Sequence, residues 1–131
     1  MGDLAVTPVD VLRTVAVLCG RSRADMVGGS HRRDVSEDRH VAMYVARIVT
    51  GAPYTELAGV FRRSESTVRY GVRTVRRRMR HSSLLAEKVR VVEEQVRKNE
   101  ITTDGVDLTY AAVFMSDAIV EALYANRKED E

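Results

Sequence analysis

Residues 54–80 read YTELAGVFRRSESTVRYGVRTVRRRMR, and no other part of the sequence is as informative about the fold. It predicts two helices joined by a tight turn at Arg62-Arg63, the second helix beginning at Ser64. An apolar seam with steps of 4, 3 and 4 follows one side of the second helix: Val68, Val72, Val75 and Met79. Arginines fall largely opposite: Arg69, Arg73, Arg76, Arg77 and Arg80. Such a helix buries one stripe and presents cations outward, which favours a polyanionic partner over a merely solvated face.

The composition is that of one globular domain. The chain has 131 residues, 44% of them hydrophobic and 31% charged, and no apolar run approaches the ~20 residues that a membrane span needs. The N-terminus lacks a signal-peptide pattern, so we expect a cytosolic protein without a membrane partner. Cys19 is the only cysteine and lies in an apolar helical segment, where we expect it in the core.

The net charge of +2 hides a strong division along the chain. Residues 21–80 carry a net +8, whereas residues 81–131 carry −5 and the first 20 residues −1. We therefore expect the middle of the chain to face an anionic partner and the C-terminal part to stay away from it.

Capping residues and apolar periodicity predict further helices on both sides of the opening stretch. Thr7-Pro8 begins a first helix that stops at Gly20, and Ser22 caps a short second helix through Val27. A third helix is expected from Ser36 to near Gly51, with Val41, Tyr44, Val45 and Ile48 as its buried stripe. Thr55 is expected to cap the short helix before the turn, whose inward residues are Leu57, Val60 and Phe61. Ser82-Ser83 opens a helix with the stripe Leu85, Val89, Val92 and Val96.

The C-terminal part is predicted to be a linker followed by one more helix. Residues 99–107 have loop composition, and Leu108–Ala125 has an apolar stripe with further apolar residues on its flanks. We therefore divide the chain into a helix-turn-helix domain at 1–98 and an appended segment at 99–131. A helix this apolar needs two neighbours, so it either covers the core of its own domain or pairs with a second copy as a homodimer.

The order of these elements resembles the C-terminal DNA-binding domain of the bacterial replication initiator DnaA, an all-helical, Trp-repressor-like fold. The residues that carry the resemblance are Arg39-His40-Val41-Ala42-Met43-Tyr44-Val45-Ala46-Arg47, similar to R-Q-x-A-M-x-L-A-[RK], and Tyr54-Thr55-Glu56-Leu57-Ala58-Gly59-Val60-Phe61, similar to S-L-P-E-I-G-x-x-F. The resemblance covers about two thirds of the chain. It implies an all-α domain with a helix-turn-helix and double-stranded DNA as the partner.

The base-reading signature of that family, G-G-R-D-H-T-T-V, is altered here. The chain has Arg62-Arg63-Ser64-Glu65-Ser66-Thr67-Val68, one residue shorter, so a changed target sequence is expected. Glu65 can accept from a cytosine amino group, Ser64 and Ser66 can bond donors or acceptors, and the Thr67 methyl can pack on thymine. The alternative is that Ser64 and Glu65 only cap the helix.

Other positions of the resemblance imply contacts outside the recognition helix tip. The family's basic loop, which enters the minor groove, corresponds to His31, Arg32 and Arg33, and its backbone-contacting positions correspond to Arg39 and His40. Glu37 and Asp38 replace an Arg-Pro of the family and would repel phosphate. The recognition face of the helix adds Arg69, Tyr70, Arg73 and Arg77, and the turn adds Arg62 and Arg63.

No pattern in the sequence predicts an enzyme. There is no G-x-x-x-x-G-K-[ST] phosphate loop, no metal-ligand spacing and no catalytic triad, so no cofactor is expected. We expect a nucleoid-associated DNA-binding protein that acts as a transcriptional regulator or replication modulator without ATPase activity. The alternative is an adaptor that keeps the fold and has lost sequence-specific binding.

Overall fold

A computed structural model describes residues 6–98 of the chain, and every regular element in this range is an α-helix. The helices are α1 (Pro8–Cys19), α2 (Arg23–Val27), α3 (Arg33–Thr50), α4 (Tyr54–Phe61), α5 (Glu65–Met79) and α6 (Ser83–Lys98). The all-α expectation is confirmed. The expected helix at Leu108–Ala125 and the segment 99–131 lie outside the described residues.

Capping side chains start the first two helices where the sequence predicts. The Thr7 hydroxyl accepts from the Asp10 backbone N–H at 3.2 Å, and the Asp10 carboxylate accepts from the Thr7 N–H at 2.9 Å. Ser22 and Asp25 repeat this reciprocal arrangement at α2. Gly20 ends α1 with φ +66°, a left-handed conformation that glycine adopts at little cost.

Two of the predicted helix starts are wrong. Helix α3 begins at Arg33, not at Ser36, because the Arg32 carbonyl accepts the first helical hydrogen bond, from the Ser36 N–H at 2.9 Å. Helix α4 begins at Tyr54, since the Pro53 carbonyl accepts from the Leu57 N–H at 3.1 Å and Thr55 is already helical. Neither start has a side-chain cap, so the search for capping residues could not find it.

Helix α3 lies at the centre of the domain and packs against the other five helices. The valine seam of α5 is confirmed, because Val68 and Val72 have no exposed surface and Val75 is 2% exposed. The predicted stripe of α6 is also buried throughout. Val60 of α4 is half-buried, beside the fully buried Leu57 and Phe61.

The buried face of α3 is rotated from the predicted stripe. Val41 and Val45 are fully buried, but Ile48 is 43% exposed, and Ala42, Met43 and Ala46 are buried instead. The wider buried face follows from the central place of α3, which has neighbours on several sides. In the described part of the chain, no helix is long and apolar enough to cross a membrane.

Candidate nucleic-acid interface

Helices α4 and α5 with the turn between them form the helix-turn-helix, and the solvent face of α5 carries the cations. The side chains of Arg69, Arg73, Arg76, Arg77, Arg78 and Arg80 are all exposed. Within residues 6–98, the guanidinium groups of Arg73, Arg76, Arg77 and Arg80 make no ion pair or hydrogen bond. This face therefore concentrates positive charge that the described fold leaves uncompensated, as expected of a surface that meets an anion.

The N-terminus of α5 is exposed, and three residues there carry hydroxyl groups: Ser64, Ser66 and Thr67. Ser64 is the N-cap, its hydroxyl accepting from the Thr67 N–H at 3.2 Å, so the capping role expected for it is present. The same hydroxyl lies 3.1 Å from the Ser66 hydroxyl and 2.9 Å from the Thr67 hydroxyl. Glu65, the first residue of α5, extends into solvent within 3.7 Å of Arg69. These side chains occupy the part of a recognition helix that meets base edges in a helix-turn-helix.

Arg69 also contacts the first residue of α4. Its guanidinium carbon lies 4.4 Å from the ring centroid of Tyr54, and that of Arg47, in the last turn of α3, lies 4.6 Å from the same centroid. Arg47 donates a hydrogen bond to the Ala52 carbonyl at 2.7 Å. Arg47 and Tyr54 are not predicted as site residues from the sequence, because contacts among three helices leave no periodic signal.

The two arginines of the turn have different environments. Arg62 is exposed and adopts φ +54°, in the left-handed region where the related signature has glycine. Arg63 is half-buried, and its guanidinium donates to the carbonyls of Val27, at 3.2 Å, and Gly28. Arg63 therefore ties the turn to the end of α2, whereas the Arg62 side chain stays exposed.

Arg39 is not a surface residue. It is 4% exposed, and its guanidinium donates to the carbonyls of Met26 at 3.0 Å, Asp25 at 2.8 Å and Ser30 at 3.2 Å. The expectation that Arg39 touches the DNA backbone is corrected, because its hydrogen-bonding nitrogens are turned inward. It supports the basic loop instead, since Ser30 directly precedes the exposed residues His31, Arg32 and Arg33.

The basic loop is exposed, although one of its cations is paired. Arg32 donates to the Asp34 carboxylate at 2.9 Å while its side chain stays 71% exposed. Arg33 is the first residue of α3 and not part of the loop, so its position is fixed by the helix.

The acidic residues Glu37 and Asp38, which the sequence predicts to repel phosphate, are paired with cations in the second turn of α3. Asp38 is 2% exposed and binds Arg21 Nε at 2.7 Å and Lys88 Nζ at 2.5 Å. Glu37 lies 3.6 Å from both Arg78 and Lys88. The positive charges of Arg21, Lys88 and Arg78 offset the negative charges of the pair.

His40 is half-buried beside the exposed ring of Tyr70. The two rings meet edge to face, with centroids 6.0 Å apart. Burial, and then the charges of Arg39 and Arg78, lower the pKa of His40 below its usual value. His40 is therefore neutral near pH 7 and can donate or accept a hydrogen bond, but it adds no charge to the surface. No group of three potential metal ligands occurs among residues 6–98.

Comparison with known proteins agrees with this geometry. A family model described as the bacterial DnaA protein helix-turn-helix matches residues 8–75. The chain is 32% identical over 82 residues to the chromosomal replication initiator protein DnaA 1 of Chlamydia pneumoniae. The aligned region covers 63% of this chain and 18% of that protein. The chain is 33% identical over 99 residues to the DnaA protein of Deinococcus radiodurans, covering 75% of this chain and 21% of that protein.

The chain spans about a fifth of the length of these curated relatives. No solved structure matches the chain. The family model, however, covers more than half of the chain, from Pro8, the first residue of α1, to Val75 in α5. Because the match covers more than half of the chain and includes α4, the turn and α5 as far as Val75, this chain belongs to the family of bacterial DnaA helix-turn-helix domains, which supports DNA binding.

Proposed function

We propose that this chain binds duplex DNA sequence-specifically through α5 and acts as a transcriptional regulator or replication modulator. The observation that carries the proposal is the exposed arginine face of α5, where Arg73, Arg76, Arg77 and Arg80 have no acidic partner within residues 6–98. This face lies on the second helix of a helix-turn-helix, the element that enters the major groove. A regulator acts by occupying a DNA site, and DNA binding without an ATPase can produce this effect.

The proposal divides the exposed side chains into two groups. Glu65, Ser66, Thr67, Tyr70 and Arg73 lie towards the N-terminal part of α5 and are assigned to the bases. Arg76, Arg77 and Arg80 lie towards its C-terminal end and are assigned to phosphates, which position the protein without reading sequence.

The basic loop adds a second contact in the proposal. His31 and Arg32 are exposed, and Arg33 is fixed beside them at the start of α3. Arginine favours a narrow, electronegative minor groove, and the three side chains are assigned there. Arg62 and His40 complete the set, the first as a phosphate contact at the turn and the second as a neutral hydrogen-bonding group.

An adaptor without sequence preference is the second candidate. It is favoured by the hydroxyl cluster at the start of α5, because Ser64, Ser66 and Thr67 already satisfy part of their hydrogen-bonding capacity with one another. In that case α5 would meet DNA only through phosphates, or would meet an acidic protein.

Selection from random duplexes separates the two candidates. The regulator enriches one motif, and Arg73→Ala abolishes that enrichment, whereas Arg13→Ala, an exposed arginine on α1, leaves it unchanged. If about six phosphate contacts form, affinity falls roughly a thousandfold between 50 and 200 mM salt. Enrichment of no motif favours the adaptor, and a flat salt dependence contradicts duplex binding.

We also propose homodimerisation through the apolar stripe of Leu108–Ala125, which would favour a palindromic site. Sedimentation of the full chain at micromolar concentration tests this proposal. A strict monomer would leave the core-covering alternative.

A further inference from the structure

We propose that Tyr54 is a positioning residue that holds Arg69 and Arg47 together as one binding site for a single DNA backbone phosphate. On this inference Arg69 contacts phosphate and not a base. The inference rests on the proposed binding of duplex DNA and deepens it, because it assigns Arg69 to one of the two chemical groups that its exposure allows.

The Tyr54 ring contacts two guanidinium groups. The guanidinium carbons of Arg69 and Arg47 lie 4.4 and 4.6 Å from the ring centroid, within the range of a cation–π interaction. One ring therefore contacts a cation from α5 and a cation from α3. The hydrogen bond from Arg47 to the Ala52 carbonyl fixes one of the two guanidinium groups against the protein.

The contact with Tyr54 draws the Arg69 side chain towards α4. Tyr54 is the first residue of α4, so the Arg69 side chain leans towards the start of the first helix of the helix-turn-helix. In this motif the first helix crosses the DNA backbone, while the second enters the groove. A cation of α5 held over the start of α4 is therefore placed beside the phosphate strand and away from the base edges.

Glu65 also lies near Arg69, but an exposed ion pair between them is weak. The Glu65 carboxylate is 3.7 Å from Arg69, and both side chains are about half exposed. An exposed pair of this kind contributes little stability and is screened by salt, so it does not hold Arg69 against a phosphate. A phosphate oxygen offers Arg69 a stronger, bidentate partner and leaves Glu65 available to the bases.

Cations that are held in place before DNA arrives lose less conformational freedom when they bind it. Fixing a long, flexible side chain on binding costs free energy, and a side chain that is already ordered avoids much of this cost. Leucine in place of Tyr54 would fill part of the same volume but would not attract a cation, whereas phenylalanine would keep the aromatic face.

The test compares Tyr54→Leu with Tyr54→Phe in the full chain, using both the selected duplex and a random duplex over a series of salt concentrations. We expect Tyr54→Phe to bind within about twofold of the unmodified chain and Tyr54→Leu to bind about two- to fivefold more weakly. Arg69→Gln should weaken binding to both duplexes by the same factor and reduce the salt slope by about one.

A double-mutant cycle excludes a merely structural role for the ring. In the Arg69→Gln background, Tyr54→Leu should lose most of its effect, because one of its two cations is gone. Full additivity of the two changes, or equal binding by Tyr54→Leu and the unmodified chain, overturns the inference. Loss of preference at a single base pair in Arg69→Gln overturns it as well, since it would assign base reading. If the unmodified chain binds neither duplex, the proposed function fails and this inference fails with it.

Discussion

The Lys88 ammonium of α6 donates a hydrogen bond to Asp38 Oδ1 of α3 at 2.5 Å, and both residues are at most 5% exposed. The other carboxylate oxygen of Asp38 accepts from Arg21, in the turn between α1 and α2, at 2.7 Å. Burial alone would lower the pKa of Lys88, but its negatively charged neighbours, among them Asp38 and Glu37, raise it. One buried carboxylate thus joins three parts of the fold and keeps an acidic group away from the proposed DNA surface.

Replacing Lys88 tests this cluster. We expect Lys88→Met to lower the free energy of unfolding by on the order of 3 kcal/mol, because it removes one partner of a buried ion pair. Lys98→Met, which removes an exposed pair with Glu94 on the same helix, should cost at most about 0.5 kcal/mol. Urea denaturation measures both. Equal losses in the two variants would contradict a stabilising role for the buried pair.

The contact between α3 and α5 depends on Gly71. A Cβ added there would lie 2.8 Å from Met43 Sδ and 2.9 Å from His40 Cδ2, closer than real Cβ contacts allow. Gly71→Ala should therefore destabilise the domain by about 1–3 kcal/mol through overpacking. Gly59→Ala is the matched control, since a Cβ there meets nothing within 4 Å and alanine favours the helix. A Gly71→Ala variant with an unchanged melting temperature would disprove the close approach.

Arg39 should affect stability and not the salt dependence of DNA binding. Lysine keeps the charge, but one ammonium cannot reproduce the planar fork that donates to three carbonyls. We expect Arg39→Lys to lower the free energy of unfolding by about 2 kcal/mol. At a temperature where the variant is folded, its salt slope should equal that of the unmodified chain. A slope reduced by one would show that Arg39 contacts phosphate after all.

His40 should make stability depend on pH. Because its pKa in the folded state lies below the ordinary value of 6.5, protonation favours the unfolded chain. Its contribution to stability is complete above about pH 6.5 and is lost as the pH falls through the folded-state pKa. The melting temperature of the unmodified chain should thus fall more steeply below pH 6.5 than that of His40→Gln. Parallel curves for the two proteins would rule out a lowered pKa.

The order of the helices in residues 6–98 and the buried side of α5 follow from the sequence alone, although α3 and α4 begin earlier than predicted. Caps such as Thr7 and Ser64 act within three residues, and the valine seam of α5 repeats every three or four residues, so both are local and visible in the chain. The cationic face opposite the seam follows from the same periodicity.

Which charged residues face solvent depends on how the helices pack against one another, and the sequence does not show this. The sequence predicts Arg39 and Arg63 as DNA contacts and Asp38 as a group that repels phosphate, but their partners lie in other helices or in the turns between them. The contact of Arg69 with Tyr54 likewise joins two helices. The physical reason is that a charged side chain has the same helical spacing whether it meets a phosphate or a buried partner, and long-range packing alone selects between them.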